Sequence, residues 1–358
     1  MRRIDRHIRS AVLMSMLIVA TLVLVVDIVF SLADELADTG NNYTSINALR
    51  YVLFTAPTNV YELLPFIALI GALIGLGVLA SHNELVVIQA AGVKVWRIVV
   101  AVLKPTLAVM LLGLVLGEFV SPPLEQVARS DKAIQQSGSS TINPEQGTWR
   151  RVGNEFIHIN AIAPGGTTLF GVTRYRFDNN RRLQSASFAE TATYADQGGS
   201  SYWRLNDIRV SRFSADRVTT ESYLQEDWQV ELSPELLSVL LVEPDQQSIT
   251  GLYRLANFFS REGLDSGAYF LAFWKKLLQP LATLALVVLG VSFIFGPLRE
   301  STTGSRVFVA IGIGLGFSIM QRMLEPASLL YGFNPLIAVL TPILICAGFG
   351  WYLMGRVR

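Results

Sequence analysis

The sequence predicts a polytopic α-helical membrane protein with six transmembrane helices and an inserted all-β domain of the sandwich or jelly-roll type. Two observations support this fold class. Of the 358 residues, 51% are hydrophobic and only 16% are charged, whereas about a quarter of the residues of an average soluble domain are charged. The apolar runs also fall into two groups, and a long polar segment with alternating hydrophobicity separates them.

Six apolar runs are long enough to cross a bilayer as helices, which requires about 20 residues each. Three precede the polar segment and three follow it, at residues 11–33, 63–80, 98–120, 268–295, 307–321 and 335–354. The fifth run is the shortest, and Arg306 and Arg322 flank it with side chains long enough to reach the two membrane interfaces. The predicted membrane segments are therefore residues 1–120 and 267–358.

The basic residues predict the orientation of the chain. Lys and Arg number ten in the N-terminus, the loops at 81–97 and 298–306 and the C-terminus, whereas the short loops on the opposite side carry only Arg50 and Arg322. Because cytoplasmic loops carry the excess of Lys and Arg, both termini are expected in the cytoplasm. Residues 121–266 are then expected on the extracytoplasmic side.

The segment at 121–266 is predicted to be an all-β domain. Alternating hydrophobicity at residues 156–159, 169–177, 183–194 and 202–213 is typical of antiparallel strands. Turn-forming clusters at residues 164–166, 178–180 and 197–200 separate these strands at hairpin spacing. The pattern leaves two roles open, a rigid spacer or docking module and a sandwich whose apolar interior holds acyl chains.

Several function classes find no support in the sequence. No phosphate-binding loop, serine nucleophile elbow or zinc-protease motif is present, so the chain is not expected to be an enzyme. One cysteine and three scattered histidines give no metal-ligand pattern, and no metal site is expected. The net charge of +1 provides no attraction toward nucleic acid.

The loop between the second and third spans has the composition of a short helix on the inner membrane face. Within residues 82–97, the apolar side chains include Leu85, Val86 and Val87, and the polar ones include Glu84 and Gln89. Two interpretations remain open. In the first, Asn83 and Glu84 serve only to cap the helix N-terminus. In the second, the helix docks into the groove of a cytoplasmic partner.

Three short segments resemble a known family. Residues 83–92, Asn-Glu-Leu-Val-Val-Ile-Gln-Ala-Ala-Gly, are similar to the coupling-helix motif of the LptF/LptG (YjgP/YjgQ) permease family. Residues 292–299, Ser-Phe-Ile-Phe-Gly-Pro-Leu-Arg, and residues 181–185, Arg-Arg-Leu-Gln-Ser, resemble the LptG branch rather than the LptF branch. The resemblance covers essentially the whole chain and includes the arrangement of three spans, a domain and three spans.

The resemblance implies a membrane subunit of an ABC transporter in the bacterial inner membrane. Such a subunit extracts lipopolysaccharide from the periplasmic leaflet, chiefly past the first and fifth helices, and passes it to a periplasmic bridge toward the outer membrane. It implies assembly with LptF, two copies of the ATPase LptB, and LptC. ATP and magnesium are then bound by LptB, and this chain binds no cofactor. The residues implied in coupling to the ATPase are Asn83, Glu84, Leu85, Val86, Val87 and Gln89.

For the substrate cavity we expect a wall formed by Ile28, Phe66, Ile70, Leu315, Phe317 and Ile319. Family members carry lysines near the periplasmic end of the first helix that face lipid A phosphates. Here residues 31–38 read Ser-Leu-Ala-Asp-Glu-Leu-Ala-Asp, without a lysine. Either Arg50, Arg129, Lys132 or Arg322 takes their place, or the partner subunit supplies the charge.

Two alternative functions compete with this interpretation, a secondary transporter and a membrane-anchored docking protein. A secondary transporter is expected to show inverted repeats and ionisable pairs near the bilayer midplane. Six spans without a repeat signal argue against it. A docking protein needs only the β domain to recruit a partner, so loss of lipopolysaccharide export on deletion of the spans alone separates the two roles.

Overall fold

A computed structural model describes residues 2–40, 43–137, 148–152, 154–163, 166–178, 182–197, 200–214, 216–230, 234, 237, 244–261, 265–295 and 302–356. They form two compact units. The helical unit comprises Met1–Phe30, Ala56–Pro122 and Pro244–Arg358, and the sheet unit comprises Ser31–Thr55 and Pro123–Glu243.

The helices are α1 Arg2–Ala37, α2 Ser45–Ser81, α3 Glu84–Ala90, α4 Val95–Val115, α5 Ser121–Ser137, α6 Ile249–Arg261, α7 Gly267–Phe295, α8 Thr303–Tyr331 and α9 Pro335–Arg356. A π-helical turn, Leu116–Val120, joins α4 to α5, and a 3-10 turn, Pro244–Gln246, precedes α6. The strands are β1 Thr148–Val152, β2 Glu155–Ile162, β3 Thr168–Phe177, β4 Leu183–Gln197, β5 Ser200–Phe213 and β6 Val218–Trp228.

The six predicted spans are confirmed. Six helical stretches are long and apolar enough to cross a membrane, namely Arg3–Ala37, Ser45–Ser81, Val95–Lys132, Gly267–Phe295, Gly304–Tyr331 and Pro335–Arg356. The fifth span was expected to be the shortest, but α8 has 29 residues. Arg322, Glu325 and Pro326 lower the hydropathy of its second half without ending the helix.

Two glycines bring α1 and α2 into close contact. A Cβ atom added at Gly71 would lie 2.7 Å from Met16 Cα, and one added at Gly75 would lie 2.8 Å from Val12 Cα. Any larger residue would therefore push the two backbones apart. Around this crossing the helical unit builds its largest apolar cluster, with Ile8, Val12 and Met16 of α1 almost completely buried.

The π-helical turn places a carboxylate at the start of α6. Glu118 accepts hydrogen bonds from the backbone nitrogens of Ile249, at 2.6 Å, and Thr250, at 3.2 Å. The first backbone N–H groups of a helix lack partners within the helix and carry the positive end of its dipole. Glu118 therefore fixes where α6 begins.

The inserted β domain is confirmed. The six described strands form one antiparallel sheet in the order β1-β2-β3-β4-β5-β6. Their side chains enclose an apolar core around the fully buried Trp203 and Leu205. In a jelly roll the strands are divided between two packed sheets. Here each described strand pairs with its neighbour in sequence within one sheet. The predicted turn residues at 164–165, 179–180 and 198–199 lie outside the described part of the chain.

The segment predicted as all-β also contains helices at both ends. Residues 121–137 form α5, which continues the third span, and residues 249–261 form α6. Both helices are amphipathic, with polar residues between the apolar ones. A search for long apolar runs therefore does not detect them. β1 and β6 also escaped the sequence analysis because their side chains are largely polar.

Candidate functional site

The segment implied in ATPase coupling contains a short helix. The prediction extended over residues 82–97, whereas α3 covers the seven residues Glu84–Ala90. Gly92 has a φ of +83°, a backbone conformation that glycine adopts without strain. The turn at this position ends α3, and α4 begins at Val95.

Of the two open interpretations of this segment, capping by the Asn83 side chain is contradicted. Asn83 does occupy the N-cap position, but its φ of 60° is left-handed and its side chain makes no capping hydrogen bond. A capping side chain reaches the first backbone N–H groups from the extended region of φ and ψ. Asparagine instead meets the requirement for a left-handed residue at this sharp turn.

The remaining residues of α3 separate into a buried and an exposed face. Leu85 and Ile88 are buried and belong to the same apolar cluster as α1. Val86 and Val87 are 48% and 66% exposed. Leu85 and Ile88 are three residues apart and so lie on the same face of α3, which packs against the helical unit. Val86 and Val87 are accessible to a partner.

A histidine that the sequence analysis missed contacts the coupling segment. His7 Nε2 of α1 lies 2.7 Å from Glu84 Oε2. Nearby, Arg97 of α4 donates two hydrogen bonds to the Asp5 carboxylate, from Nε at 3.1 Å and from Nη2 at 2.9 Å. The first two turns of α1 are thus tied to both α3 and α4.

A cavity of about 470 Å³ opens between α2, α7 and α8 within the helical unit. Its apolar side includes Phe66, Leu69 and Phe317, and its polar side includes Gln321 and Arg322. An apolar wall beside a charged rim matches the two halves of an amphiphile.

Most charges at the cavity rim are already paired. Lys275 Nζ lies 3.3 Å from both Asp245 and Glu325 carboxylate oxygens. The ammonium of the buried Lys276 donates to the Gln247 carbonyl oxygen at 2.6 Å. Arg322 is exposed and, within the described residues, makes no hydrogen bond or ion pair. It is the rim cation that remains available to an anionic ligand.

The structure brings together only part of the predicted cavity wall. Phe66, Phe317 and Arg322 line the cavity. Leu315 and Ile319 are 55% and 49% exposed on another side of α8.

Neither of the other two wall candidates lines the cavity. Ile70 packs against the main apolar cluster, and Ile28 is half-buried on α1. Hydrophobicity alone does not indicate which helical face points toward the cavity.

Two spans leave most of their apolar surface uncovered. In the most apolar windows of α1 and α8, 17% of the positions are buried, against 33–61% in the other four spans. Along α1 the exposed side chains include Leu22, Val25 and Phe30. Apolar faces of this extent contact lipid, substrate or another membrane chain.

Three of the four cations considered as substitutes for the missing lysines are paired within the sheet unit. Arg50 lies 3.1 Å from Asp131, and Arg129 lies 2.9 Å from Glu125. The Lys132 ammonium is held between Glu35, at 2.6 Å, and Asp38, at 3.0 Å.

The carboxylates that bind Lys132 lie within residues 31–38, the stretch that contains no lysine. Glu35 is also buried and accepts a hydrogen bond from the Tyr43 hydroxyl at 2.7 Å. Burial and this neighbouring carboxylate raise the pKa of the Tyr43 phenol well above its usual value. We call Glu35, Asp38 and Lys132 the acidic clasp.

The described part of the chain contains no group of side chains arranged to bind a metal ion. There, no three His, Cys, Asp or Glu side chains are grouped as metal ligands. Cys346 is a free, buried thiol on α9.

Comparison with known proteins identifies a family to which this chain is similar over nearly its whole length. The model of the family described as lipopolysaccharide export system permease LptF/LptG matches residues 6–356. The lipopolysaccharide export system permease protein LptG of Escherichia coli K12 is 33% identical over 341 residues, which are 95% of this chain and 94% of that protein. The LptG protein of Haemophilus influenzae is 31% identical over 358 residues, which are 99% of each chain.

Proposed function

The chain belongs to the LptF/LptG family of lipopolysaccharide export system permeases, and from this premise we propose that it extracts lipopolysaccharide from the periplasmic leaflet and passes it to a periplasmic bridge toward the outer membrane. It is a non-catalytic, multi-pass permease subunit of the inner membrane. The structural observation that carries the proposal is the uncovered apolar surface of α1 and α8.

The physical chemistry of the substrate requires such a surface. For a lipid with about 60 methylenes, at about 0.8 kcal/mol each, transfer of the acyl chains to water would cost a free energy on the order of 50 kcal/mol. Its acyl chains must therefore stay covered throughout transport. Apolar faces on α1 and α8 provide this cover where the two permease subunits meet, and lateral entry past these helices follows.

The proposed orientation has both termini in the cytoplasm and the sheet unit in the periplasm. Ten Lys and Arg residues in the termini and short loops on the side of the termini, against two in the short loops on the opposite side, support it. α3 then faces the cytoplasm, because two spans separate it from the N-terminus.

The proposed partners are LptF, two copies of LptB, and LptC. Since this chain has no phosphate-binding loop, we propose that LptB binds ATP and magnesium and that this chain binds no cofactor. The exposed Val86 and Val87 of α3 support a contact with an ATPase groove, as expected of a coupling helix.

Arg322 is the residue we propose for contact with the lipid A phosphates. It lies at the rim of the cavity beside an apolar wall. The three competing cations, Arg50, Arg129 and Lys132, are each held by carboxylates. Phosphate binding at any of these three cations would require an ion pair to be broken. The guanidinium N–H donors of Arg322 can bind a phosphate without breaking one.

The test is reconstitution. The chain, co-expressed with LptF and LptB, is purified as a complex and placed in proteoliposomes containing lipopolysaccharide. We expect ATP hydrolysis to drive lipopolysaccharide release to a soluble periplasmic acceptor. Release without ATP or without the ATPase would support a secondary transporter instead. A chain that purifies alone and whose presence changes neither hydrolysis nor release would contradict the proposal.

A further inference from the structure

A second pocket, with a volume of about 290 Å³, lies in the sheet unit. Ten described residues from the five neighbouring strands β2 to β6 line it, and nine of them carry a polar group. We call it the sheet pocket and define it by Arg174, Arg176, Ser187, Arg212, Tyr223 and Gln225. Unlike the cavity of the helical unit, it has no apolar wall for acyl chains. Its ligand is therefore polar.

The strand register places polar residues on the face of the sheet that carries the apolar core. Arg174 of β3 pairs with Ser187 of β4, in a row that begins at Ile157 of β2 and ends at Val210 of β5. Residues paired in register project from the same face of a sheet. Ile157 and Val210 belong to the apolar core. The polar side chains thus occupy the centre of the row, where packing alone favours apolar ones.

Arg174 forms the floor of the sheet pocket, and only 8% of its side chain is exposed. Its Nε donates to Ser187 Oγ at 3.1 Å, and its Nη2 donates to Glu226 at 3.2 Å. The guanidinium also lies 5.2 Å from the centroid of the Trp228 ring. A buried ion pair is often no more stabilising than packed apolar residues of the same volume, so stability alone does not account for Arg174. Its contacts fix the orientation of a group with five N–H donors.

The other two arginines of the sheet pocket are also held by carboxylates. Arg176 Nε donates to Glu155 at 2.6 Å, and Arg212 Nη1 lies 3.2 Å from Glu221. Together with the pair at Arg174, three guanidinium groups are balanced by three carboxylates. An anion would have to compete with a carboxylate for each guanidinium, whereas an uncharged ligand leaves the pairs intact. The charge balance therefore favours an uncharged polar ligand.

The ligand class follows from the atoms that the wall presents. Each ion pair places N–H donors beside carboxylate acceptors, and Ser185 and Gln225 add a hydroxyl and an amide. A hydroxyl both donates and accepts hydrogen bonds, so adjacent hydroxyls of a sugar ring match such a wall. The Tyr223 ring, 40% exposed at the mouth, offers its face to the C–H side of a sugar. The volume is close to the roughly 300 Å³ at which small-molecule sites begin, which limits the ligand to about one or two sugar rings.

We propose that the sheet pocket is a saccharide-binding site that takes uncharged sugar units, with Arg174, Ser187 and Tyr223 as its main contacts. The ligand class does not depend on the proposed function. Assigning the sugars to the saccharide part of the transported lipopolysaccharide rests on that function, and a free periplasmic glycan presents the same hydroxyl groups. The site would hold the sugars of the substrate apart from its acyl chains and phosphates.

The experiment is a calorimetric titration of the full chain in phosphatidylcholine nanodiscs, because detergents with sugar headgroups would compete for the site. The three ligands are lipopolysaccharide oligosaccharide freed of acyl chains and phosphates, the neutral disaccharide chitobiose, and inorganic phosphate. We expect the oligosaccharide to bind and phosphate not to compete with it. Binding of the oligosaccharide but not of chitobiose assigns the site to the transported lipid. Binding of chitobiose alone keeps the saccharide site but assigns it to a free glycan.

Variants locate the binding in the sheet pocket. Arg174→Ala is expected to weaken oligosaccharide binding at least tenfold, because it removes charged hydrogen-bond donors. Since Arg174 is buried, the exposed mouth is tested separately, and Tyr223→Ala is expected to weaken binding about threefold to tenfold while the fold is retained. Leu224→Ala is the matched control. Leu224 is the next residue of β6, is 82% exposed and does not line the pocket, so this variant should bind as the parent does.

The proposal is overturned if neither saccharide binds the folded parent chain, or if phosphate displaces the saccharide. It is also overturned if Arg174→Ala and Tyr223→Ala both bind as tightly as Leu224→Ala. Failure of the proposed function has a different signature, because the titration contains no ATPase and no second permease subunit. In that case the chain binds saccharide, but the reconstituted complex releases no lipopolysaccharide to the acceptor.

Discussion

At the scale of single residues, side-chain contacts within each unit join positions far apart in the chain. His7 and Glu84 are 77 residues apart, and Lys132 and Asp38 are 94 apart. No periodicity in a single sequence relates such positions. Glu84 itself was predicted because it lies within a contiguous motif, whereas its intrachain partner left no local signal.

Glu84→Lys is expected to uncouple ATP hydrolysis from transport. The substitution replaces the carboxylate that meets His7 with a cation, and it reverses the charge offered to the ATPase. We expect roughly tenfold less lipopolysaccharide released per ATP, which corresponds to about 1.4 kcal/mol of lost coupling. Release and hydrolysis are measured together in proteoliposomes.

The control for that variant is Ser10→Lys, which adds a cation at an exposed position on the first part of α1. It should behave as the parent. Equal release per ATP from the Glu84→Lys complex would show that Glu84 has no part in coupling.

Arg322→Ala is expected to weaken lipopolysaccharide binding roughly tenfold to a hundredfold, because a hydrogen bond to a charged group contributes about 1.5–3 kcal/mol. Binding is measured with fluorescent lipopolysaccharide on the purified complex. Removing the lipid A phosphates should produce a similar loss in the parent and little further loss in the variant.

Arg254→Ala provides the comparison for Arg322, since Arg254 is an exposed arginine of α6 that does not line the cavity. Its complex should bind as tightly as the parent. If Arg322→Ala and Arg254→Ala bind alike, the phosphates are recognised elsewhere.

At the scale of elements, apolar runs predicted all six spans because a bilayer demands about 20 consecutive apolar residues. The same logic misses α5 and α6, whose amphipathic sequences lack such a run. Cavity-facing residues were harder still. Phe66 and Phe317 line the cavity between α2, α7 and α8, but Leu315 and Ile319 are exposed on α8, since a span surrounded by apolar material has no polar face to mark its orientation.

Gly71→Leu is expected to destabilise the crossing of α1 and α2. The new side chain would begin 2.7 Å from the Met16 backbone, and the overpacking should cost about 1–3 kcal/mol. A lower Tm of the purified chain in detergent checks this. Gly312→Leu is the matched change, because a Cβ atom at Gly312 meets nothing within 4 Å. Equal Tm values for the two variants would mean that α1 and α2 can move apart at the crossing without loss of stability.

At the scale of the whole molecule, charge and hydropathy together predicted three spans, an inserted β domain and three more spans, and this order is confirmed. The connectivity within the sheet was less predictable. Alternation identifies a strand but not its neighbour, and only the short hairpin spacing favoured the sequential order that the described strands adopt.

The proposed orientation predicts which thiols an impermeant reagent reaches. In the Cys346→Ala background, a cysteine at Ser214, exposed after β5, should be labelled in intact spheroplasts. A cysteine at Gly355, near the end of α9, should be labelled only after the membrane is permeabilised. The reverse pattern, read from gel shifts of the labelled chain, would invert the topology.

The acidic clasp constrains how this chain can be recombined with its relatives. Glu35 and Asp38 neutralise Lys132. Substitutions at these three positions are therefore expected to be coupled rather than independent. A chimera that imports a lysine-bearing first helix leaves Lys132 facing new positive charge, and it needs a compensating acid at position 132 to regain stability. In an alignment of homologues, lysine at 35 or 38 should accordingly co-vary with the loss of lysine at 132.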